Sequence, residues 1–218
     1  MKGSTLRPRP EEDSARRLRR ERSAERLTSK GKDVLVIVDV QNDFCPGGAL
    51  AVSQGDLVVP VLNRYIRRFE EAQLPVVVTR DWHPEKTSHF NSYGGVWPPH
   101  CVQGTRGAEF HPELALPKDA VIVSKGMGID EDSYSGFQGA DPGGTPLADL
   151  LRQCGGQRLF VGGLATDYCV KQTVLDGLKE GFQVVLLEYA IRGVNLKPGD
   201  SERAVEEMVR AGAERERL

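Results

Sequence analysis

Short apolar runs alternate with amphipathic segments along most of the chain. The runs are rich in valine, isoleucine and leucine, which is typical of strands covered on both faces, and they lie at 34–38, 75–79, 120–123, 159–161 and 184–187. Segments with apolar residues three and four positions apart predict helices at 56–69, 147–152, 166–178 and 200–209. This alternation predicts a single Rossmann-like α/β domain, with a mainly parallel sheet and helices on both faces.

Polar residues and glycines mark the expected ends of these elements. Aspartate, serine and threonine are good helix N-caps, and we expect caps at Asp56, at Thr166 and Asp167, and at Asp200 or Ser201. Gly162 and Gly163 are expected to end the fourth strand in a tight turn that lets another backbone approach closely. The last helix is expected to bury Ala204, Val205, Met208 and Val209.

Cys169 follows the fourth strand and is predicted to lie in the first turn of the next helix. The helix dipole and free backbone N–H groups at that position would lower the pKa of the thiol. The same N–H groups could hold an oxyanion. A free cysteine is also a common small hydrophobic residue of protein cores, so this position alone predicts either a nucleophile or a structural cysteine.

Two further ionisable residues come at the ends of predicted strands. Asp39 follows the first strand and Lys125 follows the third. Either could be a cap or a catalytic group, but ligands of parallel α/β sheets bind at the carboxyl ends of the strands. We therefore expect Asp39, Lys125 and Cys169 to meet at one edge. A base and a cation beside a thiol are the groups that activate a nucleophile, which favours a catalytic role for Cys169.

The segment from Arg80 to Lys118 is predicted to be a long loop, and it holds all four histidines of the chain. Long irregular segments are usually functional or disordered, and the aromatic residues of this one argue against disorder. Its imidazole and carboxylate groups suit one divalent transition metal ion such as Zn, Fe or Mn, without selecting among them. The expected ligands are Asp81, His83, His89 and His100, whereas His111 is expected to be a turn residue.

Charge divides the chain into two parts. Residues 1–30 carry a net charge of +5 and the remainder carries −7, and we expect residues 1–32 to form a flexible tail ahead of a folded domain at 33–218. The arginine-rich run at 16–22 could contact nucleic acid or an acidic surface, but a solvated tail without a nucleic-acid partner is expected. No apolar run reaches the roughly 20 residues of a membrane span. Four separated cysteines without a secretory signal predict reduced thiols and a cytoplasmic location.

Six motifs resemble those of the nicotinamidase (pyrazinamidase) family of isochorismatase-like cysteine hydrolases, and they occur in the family's order. They are Val-Asp-Val-Gln-Asn-Asp-Phe-Cys-Pro-Gly-Gly at 38–48, Arg-Asp-Trp-His-Pro at 80–84, Trp-Pro-Pro-His-Cys-Val at 97–102, Lys-Gly at 125–126, Tyr-Ser-Gly-Phe at 134–137 and Gly-Leu-Ala-Thr-Asp-Tyr-Cys-Val at 163–170. The resemblance covers residues 33–212 and implies an isochorismatase-like hydrolase domain at 33–218. The N-terminal tail departs from the family's usual start.

The resemblance implies an activity and a triad. The chain is expected to hydrolyse nicotinamide, and also pyrazinamide, to the acid and ammonia through a cysteine thioester, as a step of NAD salvage. Cys169 would be the nucleophile, Asp39 the general base and Lys125 the third member. Ala165 and Cys169 would supply the N–H groups of the oxyanion hole, beside a cis peptide bond between Leu164 and Ala165.

The resemblance also implies roles for the metal and the pocket. Asp81, His83 and His100 match metal ligands, and His89 matches a fourth ligand that some members replace. The metal would bind the pyridine nitrogen and orient the ring, and would not supply hydroxide. The residues expected around the ring of this small-molecule substrate are Phe44, Trp97, Tyr134 and Tyr168, of which the last stands where relatives vary. The sequence leaves open whether the chain forms a homo-oligomer.

Two other functions compete with this one. Other isochorismatase-like cysteine amidohydrolases act on carbamoyl or ureido substrates and share the Asp, Lys and Cys, but they generally lack the metal loop, so the histidines argue against them. A non-enzymatic binding module would use Gly162 and Gly163 for a phosphate and the loop for structural zinc. A lone glycine pair is weak evidence for a phosphate site, and such a module leaves the three strand-end groups unexplained.

Overall fold

A computed structural model describes residues 33–217, and within them the chain forms six strands and four α-helices. The strands are β1 (Asp33–Val38), β2 (Val76–Asp81), β3 (Val121–Lys125), β4 (Arg158–Leu164), β5 (Gln183–Arg192) and β6 (Glu214–Glu216). The helices are α1 (Val58–Glu71), α2 (Leu147–Gln153), α3 (Lys171–Lys179) and α4 (Asp200–Arg210). The predicted tail at 1–32 lies outside the described residues.

All strand pairs of the sheet are parallel, in the order β3-β2-β1-β4-β5-β6. The chain therefore runs outward from β1 to one edge and then outward from β4 to the other. The carboxyl ends of β1 and β4 flank the point where this direction reverses, which is where α/β sheets bind ligands. The predicted α/β fold with a parallel sheet is confirmed.

Alternate residues of β1 enter two separate hydrophobic cores, one on each face of the sheet. Leu35 and Ile37 pack into the core that α1 covers. Val34, Val36 and Val38 pack into the core that α2, α3 and α4 cover. Because both faces are covered, an unbroken apolar run is what a central strand of this sheet requires.

The fourth strand is longer than the sequence predicts. It does not end at Gly162 and Gly163 but continues to Leu164, with an irregularity in its pairing to β5 after Val161. The expected close backbone approach is confirmed, because a Cβ atom on Gly163 would lie 2.0 Å from the carbonyl oxygen of Val38. Gly163 also has φ of +128°, a conformation that other residues rarely adopt.

The three predicted helix caps are wrong. Asp56 lies in a 3₁₀ turn, Gly55–Leu57, and Leu57 precedes α1 without a side-chain cap. Gly199, with φ of +84°, precedes α4, while Asp200 accepts a hydrogen bond from the N–H of Lys197. In place of the cap at Thr166 and Asp167, the chain forms a π-helical turn over Thr166–Val170, described below.

Two features at the end of the chain were not foreseen in the sequence. Val209 on α4 is 38% exposed, so it is not part of the core, whereas Ala204 and Met208 are buried as expected. The edge strand β6 has the sequence Glu-Arg-Glu, which carries no apolar pattern, and Arg215 binds Glu188 of β5 across this edge. Across residues 33–217, no helix is long and apolar enough to cross a membrane.

Candidate active site

Three ionisable side chains meet at the carboxyl ends of the strands, near the point where the strand order reverses. They are Asp39, Lys125 and Cys169, and their positions at strand ends predict this. Nζ of Lys125 lies 2.9 Å from Oδ2 of Asp39 and 3.5 Å from Sγ of Cys169. Thr79 of β2 donates a 2.6 Å hydrogen bond to Oδ1 of Asp39, which fixes the plane of the carboxylate. All three side chains are buried, so each acts on the others without competing water.

Lys125 holds two buried carboxylates, because it also donates a hydrogen bond to Oδ1 of Asp81. Burial disfavours the ammonium group, but Asp39 and Asp81 outweigh it and raise the pKa of Lys125 well above its ordinary value. Burial raises the pKa of Asp39, although Lys125 and Thr79 oppose this. The group is thus a fixed cation beside a carboxylate that can accept a proton.

The prediction of a lowered thiol pKa is wrong. Burial raises the pKa of Cys169 well above its ordinary value; Lys125 lowers it, while Asp39 and Asp81 raise it. Desolvation disfavours a thiolate, and the two carboxylates add to that effect. The resting side chain is a neutral thiol, and its proton must pass to a base before the sulfur can attack.

Cys169 lies in the π-helical turn Thr166–Val170, between β4 and α3. The peptide bond between Leu164 and Ala165 is cis, as the resemblance implies. Asp167 holds this turn to the segment after β5, since its carboxylate accepts hydrogen bonds from the N–H groups of Val194 and Asn195 at 2.9 and 2.8 Å. The turn brings Ala165 and Cys169 to the wall of the same cavity.

The long loop between β2 and β3 brings three buried histidines together. Their ring nitrogens include atoms that all lie within 4.8 Å of one another. Oδ2 of Asp81 lies 3.7 Å from Nε2 of His83 and 3.9 Å from Nε2 of His100. His89 completes the group, with its ring 4.6 Å from that of His83.

Each histidine uses Nδ1 for a hydrogen bond outside the group. Nδ1 of His83 pairs with the carbonyl of Gly126 at 2.9 Å, and Nδ1 of His100 pairs with the carbonyl of Pro98 at 2.7 Å. Nδ1 of His89 pairs with Oδ1 of Asp132 at 2.5 Å. These bonds leave the Nε2 atoms for a ligand, which is the usual arrangement around a protein-bound metal.

The donor set fits a divalent transition metal on two counts. Nε2 of His83 is buried and has no hydrogen-bond partner among the described residues, which is costly unless a ligand binds there. Burial lowers the pKa of His100 to about 4, so at neutral pH its imidazole is neutral and able to bind a metal. Asp81 is ionised, because Lys125 and His83 lower its pKa although burial opposes this.

A cavity of about 390 Å³, including its open mouth, lies between the thiol and the histidines. Its wall combines aromatic side chains with a few polar groups, which is typical of a small-molecule site. The four expected aromatic residues line it, and Nε1 of Trp97 donates a 3.0 Å hydrogen bond to the hydroxyl of Tyr134. Cys169, Ala165, Asp81, His89 and His100 also reach its wall. Asp39, Lys125 and His83 are not among the lining residues.

Several residues of the site were missed in the sequence. Leu50, Ser133 and Val194 line the cavity, Thr79 orients Asp39, and Asp132 binds His89. Gln41 ties the first and second strand ends together, accepting a hydrogen bond from the N–H of Asp81 and donating one to its carbonyl. Of these residues, only Gln41 could have been found in the sequence. It belongs to the motif at 38–48 and directly follows a buried strand, where a glutamine side chain needs hydrogen-bond partners.

Comparison with known proteins gives four similarities, one to a family and three to individual proteins. Residues 33–215 match the isochorismatase domain. The nicotinamidase of Escherichia coli strain K12 is 44% identical over 197 residues, which are 82% of this chain and 92% of that protein. The pyrazinamidase of Pyrococcus horikoshii, solved in complex with zinc, has a TM-score of 0.80 and 49% identity, covering 86% of this chain and 100% of that one. PnC1 from L. infantum, solved in complex with nicotinate, has a TM-score of 0.76 and 37% identity, covering 87% of this chain and 94% of that one.

Proposed function

This chain belongs to the isochorismatase family, and we propose that it is a nicotinamidase, an amidohydrolase that converts nicotinamide to nicotinate and ammonia. The observation that carries the proposal is Lys125, whose ammonium group contacts both the carboxylate of Asp39 and the sulfur of Cys169 beside an aromatic cavity. The similarity to a nicotinamidase and to a nicotinate complex supports the choice of substrate. The reaction is a step of NAD salvage, and pyrazinamide is a second substrate.

Catalysis begins with a proton transfer. Asp39 takes the proton of the Cys169 thiol, and Lys125 stabilises the thiolate that results. The sulfur attacks the carboxamide carbon, and the backbone N–H groups of Ala165 and Cys169 stabilise the negative oxygen of the tetrahedral intermediate. Losing one such donor typically costs about 10²–10³-fold in rate. Asp39 then returns its proton to the leaving nitrogen, so that ammonia departs and a thioester remains.

The second half of the reaction regenerates the thiol. Asp39, now ionised again, takes a proton from a water molecule that attacks the thioester carbon. The same two N–H groups stabilise the second intermediate. Its collapse releases nicotinic acid, which ionises to nicotinate, while Asp39 gives the proton that it took from water to the Cys169 sulfur. The raised pKa of Asp39 suits both directions of transfer, because a base that is too weak would not remove the proton of a buried thiol.

The metal site and the aromatic residues orient the ring. Asp81, His83, His89 and His100 would hold one divalent transition metal, which would supply a Lewis acid to orient the pyridine ring. Phe44, Trp97, Tyr134 and Tyr168 enclose the ring, and the bond between Trp97 and Tyr134 fixes that wall. Asp81 belongs to both halves of the site, since its two oxygens face Lys125 and the histidines respectively.

The test is a product assay on the full chain loaded in turn with Zn²⁺, Mn²⁺ and Fe²⁺. Nicotinamide should give equal amounts of nicotinate and ammonia, and pyrazinamide should react as well. The same samples are assayed with a ureido and a carbamoyl substrate. Turnover of these without turnover of nicotinamide would refute the proposal in favour of another cysteine amidohydrolase of the superfamily.

A further inference from the structure

One of the three buried histidines depends on an exposed side chain. His89 is 5% exposed, whereas the side chain of Asp132 is 63% exposed, and the two share the 2.5 Å hydrogen bond at Nδ1. His83 and His100 instead pair with backbone carbonyls, of Gly126 and Pro98. The backbone partners are built into the fold, so the orientation of His89 is the one that a side-chain substitution can change without altering the chain path.

Asp132 is held in place by the loop that carries it. This loop, residues 126–134, is anchored through the carbonyl of Ile129, which accepts hydrogen bonds from the N–H of Ser88 at 2.8 Å and from Oγ1 of Thr87 at 2.9 Å. Glu131 closes the loop on itself, because its carboxylate accepts a 2.8 Å hydrogen bond from the N–H of Gly128. The residues that flank His89 on the N-terminal side thus bind the same loop that supplies its partner.

The geometry points to Asp132 as a positioning residue for His89, one that strengthens the binding of a divalent metal by the histidine group. A carboxylate at Nδ1 fixes the proton on that nitrogen, leaves Nε2 with its lone pair, and turns Nε2 toward the other two rings. It also makes the imidazole a more basic ligand. The inference rests on the metal site of the proposed function, and it adds that Asp132, which does not line the cavity, controls that site.

The experiment measures metal affinity directly, without substrate. Wild type, Asp132→Ala and Asp132→Asn compete with a chromophoric chelator for Zn²⁺, and the visible spectrum of the Co²⁺ forms reports the ligand set. The matched control is Asp130→Ala, which removes an exposed carboxylate of the same loop. Asp132→Ala should weaken binding about 10- to 100-fold. Asp132→Asn should lose less, because its amide oxygen can still accept the bond, and the control should keep the wild-type affinity.

A second background separates positioning from a general effect of charge. In His89→Ala protein, adding Asp132→Ala should leave the remaining metal affinity unchanged, because Asp132 acts only through the His89 ring. Wild-type affinity in Asp132→Ala, or an equal loss with and without His89, would overturn the inference.

An active wild type whose Asp132→Ala variant keeps full affinity refutes this inference alone. A wild type that binds metal but releases no ammonia from nicotinamide refutes the proposed function alone, and a wild type that binds no metal refutes the inference.

Discussion

Nζ of Lys125 lies 2.9 Å from Oδ2 of Asp39, and both side chains are buried. The same ammonium group faces Asp81, so one cation balances two carboxylates in the interior. Removing one partner of a buried ion pair leaves an uncompensated charge, which typically costs about 3–5 kcal/mol. This relationship gives Lys125 a structural role in addition to the catalytic role that we propose for it.

Lys125→Ala should therefore lower the free energy of unfolding by about 3–5 kcal/mol in urea titrations of metal-free protein. Lys179→Ala is the control, since Lys179 pairs with Asp176 on the surface and is 73% exposed. That variant should change stability by at most about 1 kcal/mol. A Lys125→Ala protein as stable as the control would show that the two carboxylates do not depend on this cation.

The triad should respond to mutation as one unit. Asp39→Asn should lower kcat by about 10²–10⁴-fold, the usual worth of a general base. In a Cys169→Ala background the same change should cost almost nothing, because residues that act together are not additive. The measurement is ammonia release by the single and double variants against a blank without protein, and the two variants that lack Cys169 should not differ from each other. Additive losses would mean that Asp39 and Cys169 work independently.

The rate at which the Cys169 thiol is alkylated should rise with pH. Burial raises the pKa of Cys169 well above its ordinary 9.0, so the free enzyme holds a neutral thiol at neutral pH. Its alkylation by iodoacetamide should be slow there and should still be accelerating when the pH passes that ordinary value, because the pKa of Cys169 lies above it. Peptide mass spectrometry assigns the rate to Cys169 and separates it from the other buried cysteines. A rate that is already constant at neutral pH would contradict this and would favour a resting thiolate.

Metal removal should separate binding from nucleophile chemistry. A chelated sample should lose nicotinamide turnover and regain it with a divalent transition metal, because the ring is no longer oriented. Alkylation of Cys169 should change far less, since Asp39 and Lys125 remain in contact with each other. His100→Ala should behave like the chelated sample. Turnover that survives chelation would show that the histidine group is not needed, and a metal-free cysteine amidase would become the better account.

The sequence predicted the site best where ionisable residues come at the ends of predicted strands. In a parallel sheet the carboxyl ends of all strands share one edge, so Asp39 and Lys125 could be placed together from the apolar runs that precede them. The histidines stood out because they share one loop. The ends of elements were predicted less well, since Gly163 is required by the approach of Val38 from another strand, which local patterns do not report.

The features of the site that could not be predicted from the sequence depend on burial or on contacts between residues far apart in the chain. Desolvation and the carboxylates of Asp39 and Asp81 raise the pKa of Cys169, although Lys125 lowers it, and none of these contributions can be read from the sequence around Cys169. Asp132 lies in an Asp-Glu-Asp stretch that resembles an ordinary solvated loop, and its partner is 43 residues away. His89 stood out as a candidate ligand, but nothing in the sequence around either residue indicates that Asp132 is its partner.

The most direct test of the account is the rate of ammonia release from nicotinamide by Cys169→Ala, measured on folded, metal-loaded protein. Cys154→Ala is the matched control, because Cys154 is also buried but does not line the cavity. Its thiol donates a hydrogen bond to the carbonyl oxygen of Leu151 near the end of α2. Cys169→Ala should release no ammonia enzymatically, and Cys154→Ala should release it at close to the wild-type rate. Substantial release by Cys169→Ala would contradict the thioester mechanism.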